Sequence, residues 1–196
     1  MLIQEYPGAV PPALCEQIIA CFERDPARKA SAVVLDGKHT AHEFRSGTQA
    51  WVNRKSPEWE TAFMAAVPAL RSTMESYMAQ HPGLTNLMEY EGLECTLPLV
   101  ERVNPGQGFD WHYDNVRGAM ERVVAGLLYL RTIADGGHTE FADNTRIKSE
   151  AGKIVLFPPY WTHFHRGVTP AAETKYVMSF FWTYPEKPPQ NRSPQK

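Results

Sequence analysis

No apolar run in this 196-residue chain approaches the ~20 residues that a helix needs to cross a bilayer, so no membrane-spanning segment is expected. Cysteine is scarce. Cys15, Cys21 and Cys95 form an odd set without C-x-x-C spacing, which argues against a disulfide framework, a zinc site and a dithiol redox pair. Excess charge of either sign is missing as well: 20 Lys and Arg face 22 Asp and Glu, a formal net charge of -2, and nothing favours nucleic acid or an anionic membrane as main partner. Residues 1–7 hold no basic cluster leading into an apolar stretch, so no secretory signal is expected and a reduced, cytoplasmic setting fits best.

What is present is an ordinary globular composition, 43% hydrophobic and 21% charged, at a length that allows one well-buried core. One domain over residues 1–184 is therefore expected. Pro11-Pro12 followed by apolar residues at 14, 15, 18, 19 and 22 predicts a short amphipathic helix. Ser56 as N-cap and Pro57 at the first helical position open a second, in which Trp59, Phe63, Val67, Leu70, Met74 and Tyr77 recur at helical steps; Pro68 should kink or shorten it. Between the two, Ala32–Leu35 followed by Asp36-Gly37-Lys38 predicts a strand and a turn, with His39 and His42 in an exposed loop.

From about residue 88 the pattern changes to short β-branched and aromatic runs separated by Gly, Pro, Asn and Asp. Strands are expected over 94–103, 109–113, 123–130, 139–141, 153–157, 162–165 and 176–183. The whole predicts a mainly β fold with N-terminal α-helices, in which support from about 1–87 buttresses a β sandwich or barrel over about 88–184. Residues 185–196 are polar and proline-rich and are expected to form a flexible tail.

The chemistry concentrates at His112-Tyr113-Asp114. In extended backbone, residues two apart share a face, so an imidazole and a carboxylate can converge on one ion. Two histidines and one carboxylate on one face of an octahedron leave open positions, the arrangement of non-haem iron(II) oxygenases. His138, His163 and His165 compete for the third place, and periodicity alone does not separate the last two. Lys175 opens the apolar run Tyr176–Trp182. It is either a lysine reaching out from a strand end or a cation awaiting an anionic partner.

The ordered set of motifs resembles the iron(II)- and 2-oxoglutarate-dependent oxygenase superfamily and, within it, the prolyl 4-hydroxylase-like branch. The resemblance runs over about 88–184. It comprises the Asn104-Pro105-Gly106-Gln107-Gly108 turn before His112-x-Asp114, Leu128-Tyr129-Leu130 leading to Gly136-Gly137-His138-Thr139-Glu140-Phe141, and Gly152–Pro158 leading to His165-Arg166-Gly167. It implies a double-stranded β-helix (jelly roll) that binds Fe(II) through His112, Asp114 and His165, since the family's spacing favours His165 over His163. It implies 2-oxoglutarate as co-substrate with Lys175 and Thr139 on its far carboxylate, O2 as oxidant, and succinate and CO2 as co-products. Val103 stands where many relatives carry a tyrosine that also binds this carboxylate. Asp114 points to hydroxylation, because halogenating relatives have a small residue there.

No sequence feature identifies the substrate; the short chain permits a free amino acid, a small metabolite or a peptide, and Trp111, Tyr113, Asn115, Arg117, Trp161 and Arg166 are candidates to line its site. Two other classes fit part of the pattern. A jelly-roll metalloenzyme without keto acid would have no use for Lys175, and a non-catalytic binding or sensing module would turn nothing over.

Overall fold

The computed structural model describes residues 2–31, 33–35, 38–40, 45–115 and 122–185, with the side chains of 33–35, 38–40 and 87–91 outside that description. The first half contains β1 (Gln4–Tyr6), α1 (Pro12–Arg24), β2 (Lys29–Ala30), β3 (Val33–Leu35), β4 (Lys38–Thr40), β5 (Thr48–Trp51), α2 (Pro57–Ala79) and α3 (Pro82–Glu91). The second contains β6 (Glu94–Cys95), β7 (Leu99–Val103), β8 (Phe109–His112), β9 (Arg122–Tyr129), β10 (Thr139–Phe141), β11 (Arg146–Ile147), β12 (Ile154–Phe157), β13 (His165–Gly167) and β14 (Lys175–Thr183). No helix among them is long and apolar enough to cross a membrane.

Both expected helices form. In α1 the proline start costs nothing, because a first-turn N–H has no intrahelical acceptor, and Cys15, Ile18, Ile19, Cys21 and Phe22 make its buried face. In α2, Ser56 holds the cap position, but only its backbone carbonyl is used, accepting the Glu60 amide at 2.9 Å. Pro68 does not end the helix, which runs through it to Ala79. The buried stripe also differs from the expected one: Ala62, Ala66 and Thr73 are buried while Phe63 and Val67 are half-buried, so small side chains face the core. The buried Trp59 indole donates to Asp25 Oδ2 at 2.8 Å, which ties the start of α2 to the end of α1. Helix α3 was not expected, and it carries the helical region past residue 87 to Glu91.

The strands build a double-stranded β-helix. The larger, 8-stranded sheet runs β1-β12-β9-β14-β7-β5-β2, with β6 also pairing β14, and the smaller runs β11-β10-β13-β8. All the pairings are antiparallel. The expectation of helices first and a β core second therefore needs correction, because β1, β2 and β5 from the N-terminal half complete the larger sheet. Those strands are short and polar-interrupted, so the run-based criterion passed over them. Expected strand 94–103 is broken before Pro98, and expected strand 162–165 is a helical turn, Trp161–His163, followed by β13. The hairpin of β3 and β4 forms; residues 36, 37, 42, 117 and 186–196 lie outside the described set.

Strand alternation divides the interior in two. On one face of the larger sheet, Leu128, Ile154, Leu156, Tyr176, Met178 and Phe180 pack against α1 and α2. The other face turns Ala125, Tyr129, Val155, Phe157 and Val177 toward Phe141 and Ile147 of the smaller sheet. Lys175 has the same parity as Val177, so it belongs to this second interior. At Gly126, opposite Phe180 in the ladder, an added Cβ would lie 2.3 Å from the Phe180 ring, so the aromatic occupies the space a side chain would need. Gly126→Ala should cost about 1–3 kcal/mol through overpacking, a fall of roughly 2–4 °C in Tm per kcal/mol for a chain of this size. Adding Phe180→Leu should make the double variant less unstable than the sum of the singles, which thermal denaturation of the four proteins measures.

Candidate metal centre

The smaller sheet brings the chemistry together. Strand β8 ends at His112, and its antiparallel partner β13 begins at His165, directly opposite in register. Asp114 follows β8 in a segment whose amides are held from outside: Asp114 and Asn115 both donate to the Pro159 carbonyl, at 3.1 and 2.9 Å, and Arg122 Nη1 donates to the Asp114 carbonyl at 2.7 Å. One donor atom from each of His112, Asp114 and His165 lies within 4.8 Å of the others. His112 Nε2 is 3.7 Å from Asp114 Oδ1, and His165 Nε2 is 3.9 Å from Asp114 Oδ2.

Both imidazoles are aimed by their other nitrogen. His112 Nδ1 lies 2.7 Å from the Asp110 carbonyl, and His165 Nδ1 lies 2.9 Å from the His163 carbonyl. A carbonyl only accepts, so Nδ1 carries the proton in each ring and Nε2 presents its lone pair. Burial pushes the His112 pKa down to about 4, assisted by the neighbouring His165 and opposed by Asp114. The ring is therefore neutral and basic at neutral pH. Phe141 and Phe157 wall His165, with ring centroids at 5.4 and 5.0 Å. Two imidazoles and a carboxylate with converging donor atoms are the donor set that an iron(II) oxygenase requires.

His163, two residues from His165, does not share its face. The turn at Trp161–His163 interrupts the extended backbone that the two-residue rule assumes, and His163 Nδ1 lies 2.9 Å from the Thr162 hydroxyl. His138 sits in the turn before β10, where its carbonyl accepts the Val168 amide at 2.9 Å. Gly136 in that turn has φ +69°, and a Cβ there would meet the Thr169 carbonyl at 2.3 Å, so the pair of glycines lets β10 start close against the 169–170 segment.

Beside the triad lies a second cluster. Lys175 is 5% exposed, and no ion pair among the described residues takes up its ammonium. Its Nζ stands 5.4 Å from the centroid of Tyr129, whose buried phenol donates to Thr139 Oγ1 at 2.7 Å. Val103 pairs with Lys175 across β7 and β14 and offers no hydroxyl. Tyr129 is the residue that sequence reasoning passed over. Its signal was its place between Leu128 and Leu130, which packs a polar-tipped ring into the inter-sheet space while the two leucines face the helices.

Of the suggested mouth residues, Trp111 and Arg166 alternate with His112 and His165 and stack on one another, with Arg166 Cζ 4.9 Å from the Trp111 ring centroid. Trp111 also stacks on Phe164 at 5.7 Å, and Arg166 pairs with Glu140, so these residues occupy the opposite face of the smaller sheet. Trp161 is 76% exposed.

The model of the 2OG-Fe(II) oxygenase superfamily matches residues 98–183, which span β7 to β14. Over that stretch the chain is similar to the 2OG-Fe(II) oxygenase superfamily. Solved structures of similar fold include the viral collagen prolyl hydroxylase of Paramecium Bursaria Chlorella virus-1 in its 2OG complex, at 16% identity and TM-score 0.68, covering 94% of this chain and 97% of that one. A Pseudomonas putida prolyl-4-hydroxylase matches at 20% identity and TM-score 0.67, with 94% of each chain covered. A prolyl hydroxylase from Trichoplax adhaerens, in complex with a hypoxia inducible factor oxygen degradation domain peptide fragment, matches at 17% identity and TM-score 0.70, covering 93% of this oxygenase and 84% of that chain.

The depressed His112 pKa has a thermodynamic consequence. Between the ordinary value of 6.5 and about 4 the unfolded chain binds more protons than the folded one at this residue. Stability of the metal-free oxygenase should therefore be fully expressed above pH 6.5 and fall as pH drops toward 4. Denaturant midpoints at pH 7, 5.5 and 4.5 should show this slope, reduced in His112→Gln; an unchanged slope in that variant contradicts the assignment.

Proposed function

We propose that this oxygenase hydroxylates a C–H bond of an amino acid, small metabolite or peptide, with residues 1–184 acting as one catalytic domain. In this reading His112, Asp114 and His165 hold iron(II), and Lys175 with the Tyr129–Thr139 hydroxyl pair holds the far carboxylate of 2-oxoglutarate. The observation that carries it is Lys175: a buried ammonium without an ion-pair partner among the described residues, on the inter-sheet face beside the triad, calls for an anion.

Each residue has a distinct task. Asp110 and His163 carbonyls keep the two Nδ1 protons in place and so point both Nε2 lone pairs at one position. Asp114 supplies negative charge against a dication, and its backbone is pinned by Pro159 and Arg122. Phe141 and Phe157 keep water from the His165 side. Lys175 fixes the co-substrate by charge, while Tyr129 and Thr139 offer hydroxyls to the same carboxylate. Iron(II) held there would activate O2, the oxidant: one oxygen atom would go to succinate as 2-oxoglutarate gives up two electrons and CO2, and the other to the substrate C–H bond. A peptide is one of the substrate classes this leaves, as the Trichoplax enzyme's bound fragment illustrates for that protein.

Anaerobic titration with iron(II), with and without 2-oxoglutarate, tests the reading through the visible charge-transfer band of a chelated keto acid. The band should appear in the native protein, vanish in His165→Ala and persist in His163→Ala, and once O2 is admitted the native protein should convert 2-oxoglutarate to succinate and CO2. Iron binding without a band would favour the keto-acid-free metalloenzyme; binding of neither would favour a binding module.

Burial lowers the Lys175 pKa to about 8, opposed by the nearby Glu101 carboxylate. Affinity for 2-oxoglutarate should then decline as pH rises through about 8, because the ammonium loses its proton. Lys175→Gln should weaken 2-oxoglutarate binding roughly 10- to 100-fold, the loss of one charge-assisted contact, and remove the pH dependence. Band intensity against 2-oxoglutarate concentration from pH 7 to 9.5 gives both quantities.

A further inference from the structure

A buried ion pair beside the metal cradle has, beyond the influence of Glu101 on Lys175, no role in the chemistry above. Glu101, on β7 opposite Val177 of β14, accepts from Arg45 at both oxygens, Nε to Oε1 at 3.2 Å and Nη2 to Oε2 at 3.1 Å, and from the Ser31 hydroxyl. The Arg45 and Glu101 side chains are only 13% and 11% exposed. Arg45 Cζ stands 4.6 Å from the centroid of Phe109, and the Phe109 ring lies 3.5 Å from the His112 imidazole, 12° from parallel. The backbone supports the stack: Arg45 bridges Phe109, the Ser46 amide donates to the Gly108 carbonyl at 2.9 Å, and the Gly108 amide donates to Ser46 Oγ at 3.1 Å.

Stability is a poor explanation for the pair, because desolvating two charges offsets most of their attraction. Geometry is a better one. The bond from His112 Nδ1 to the Asp110 carbonyl fixes one direction of the imidazole, yet the ring can still roll about that axis. A flat surface against its face removes the roll, and Phe109 is that surface. Phe109 needs backing in turn, which a guanidinium held by two carboxylate oxygens supplies with little freedom to move.

We propose that Arg45, anchored by Glu101 and Ser31, is a positioning residue that holds Phe109 against His112 and so sets the plane in which His112 Nε2 meets the metal. The inference rests on His112 being an iron ligand. The order of action runs from Glu101 to Arg45, then Phe109, then His112, so the effects of breaking two links should not add.

The test is iron(II) affinity, by anaerobic equilibrium binding to the full chain, in native protein, Phe109→Leu, Phe109→Tyr, Glu101→Gln and the Phe109→Leu/Glu101→Gln pair. Phe109→Leu should weaken iron binding about tenfold, the low end of what residues behind a metal ligand contribute. Phe109→Tyr should keep native affinity, Glu101→Gln should lose several-fold, and the pair should match Phe109→Leu alone. The charge-transfer band with 2-oxoglutarate should shift in energy in both single variants that lose affinity, which a loss of stability by itself would not cause. Additive losses in the pair, or native affinity in Phe109→Leu, overturn the inference. Should Phe109→Leu fail to fold, native affinity and an unshifted band in Glu101→Gln overturn it equally. Native protein that takes up no iron overturns the functional reading itself, whereas native uptake with unaffected variants overturns this inference alone.

Discussion

The site depends on one pairing, His165 opposite His112 across the antiparallel strands β13 and β8. Directly opposed residues in such a ladder place their side chains on the same face a few ångströms apart. That is how residues far apart in sequence come to offer two imidazole nitrogens to one point. A slip by one residue would replace His165 with Arg166, whose side chain faces the other way toward Glu140 and Trp111, and the donor set would be lost. Several features guard the register: the Pro159 carbonyl that takes both the Asp114 and Asn115 amides, the bulge between His165 and Gly167, and the Ala142 amide that donates to the Phe164 carbonyl at 2.9 Å.

The larger sheet has a different duty, which follows from the same two-residue period. Strands β9, β12 and β14 bury both faces, one against helices and one against the smaller sheet. A strand buried on both sides carries no polar residue without cause, since an unpaired charge taken out of water is costly. Lys175 and Tyr129 are buried polar departures on the inter-sheet face of these strands. With Thr139 they set an ammonium and two hydroxyls beside the three converging donors of His112, Asp114 and His165. Lys175 and Tyr129 come from the larger sheet and both imidazoles from the smaller, so the distance between them is set by sheet packing rather than by any one loop.

Much of this was legible in the sequence because it rests on local periodicity. The strand runs from Phe109, Val123, Thr139 and Tyr176, and the pairing of His112 with Asp114, required only the alternation rule. Failure came where local and tertiary signals part. His163 and His165 look equivalent at period two, and only the turn at Trp161–His163 separates them. Pro68 looks like a helix end, yet the flanking buried contacts of Ala66 and Leu70 carry α2 through it. Strands β1, β2 and β5 are too short to announce themselves and exist because the larger sheet offers them an edge. Tyr129 was visible as a residue but not as a site residue, because its role depends on where Thr139 and Lys175 come to lie.

Charge placement around the cavity shows why these tertiary terms matter. A dication bound at the triad is favoured by Asp114 and opposed by any uncompensated cation nearby. Three basic side chains come close: Lys175, Arg122 and Arg45. Arg45 is neutralised by Glu101, and Arg122 spends a donor on the Asp114 carbonyl while its guanidinium lies 3.7 Å from the Phe181 ring centroid. Among the described residues, Lys175 alone of the three has no hydrogen-bonded carboxylate or carbonyl on its charged end, Glu101 acting on it only from a distance. With two of these cations settled internally, a dianionic co-substrate held as proposed would meet the third, and it would bring to a bound dication the negative charge that the surrounding residues withhold.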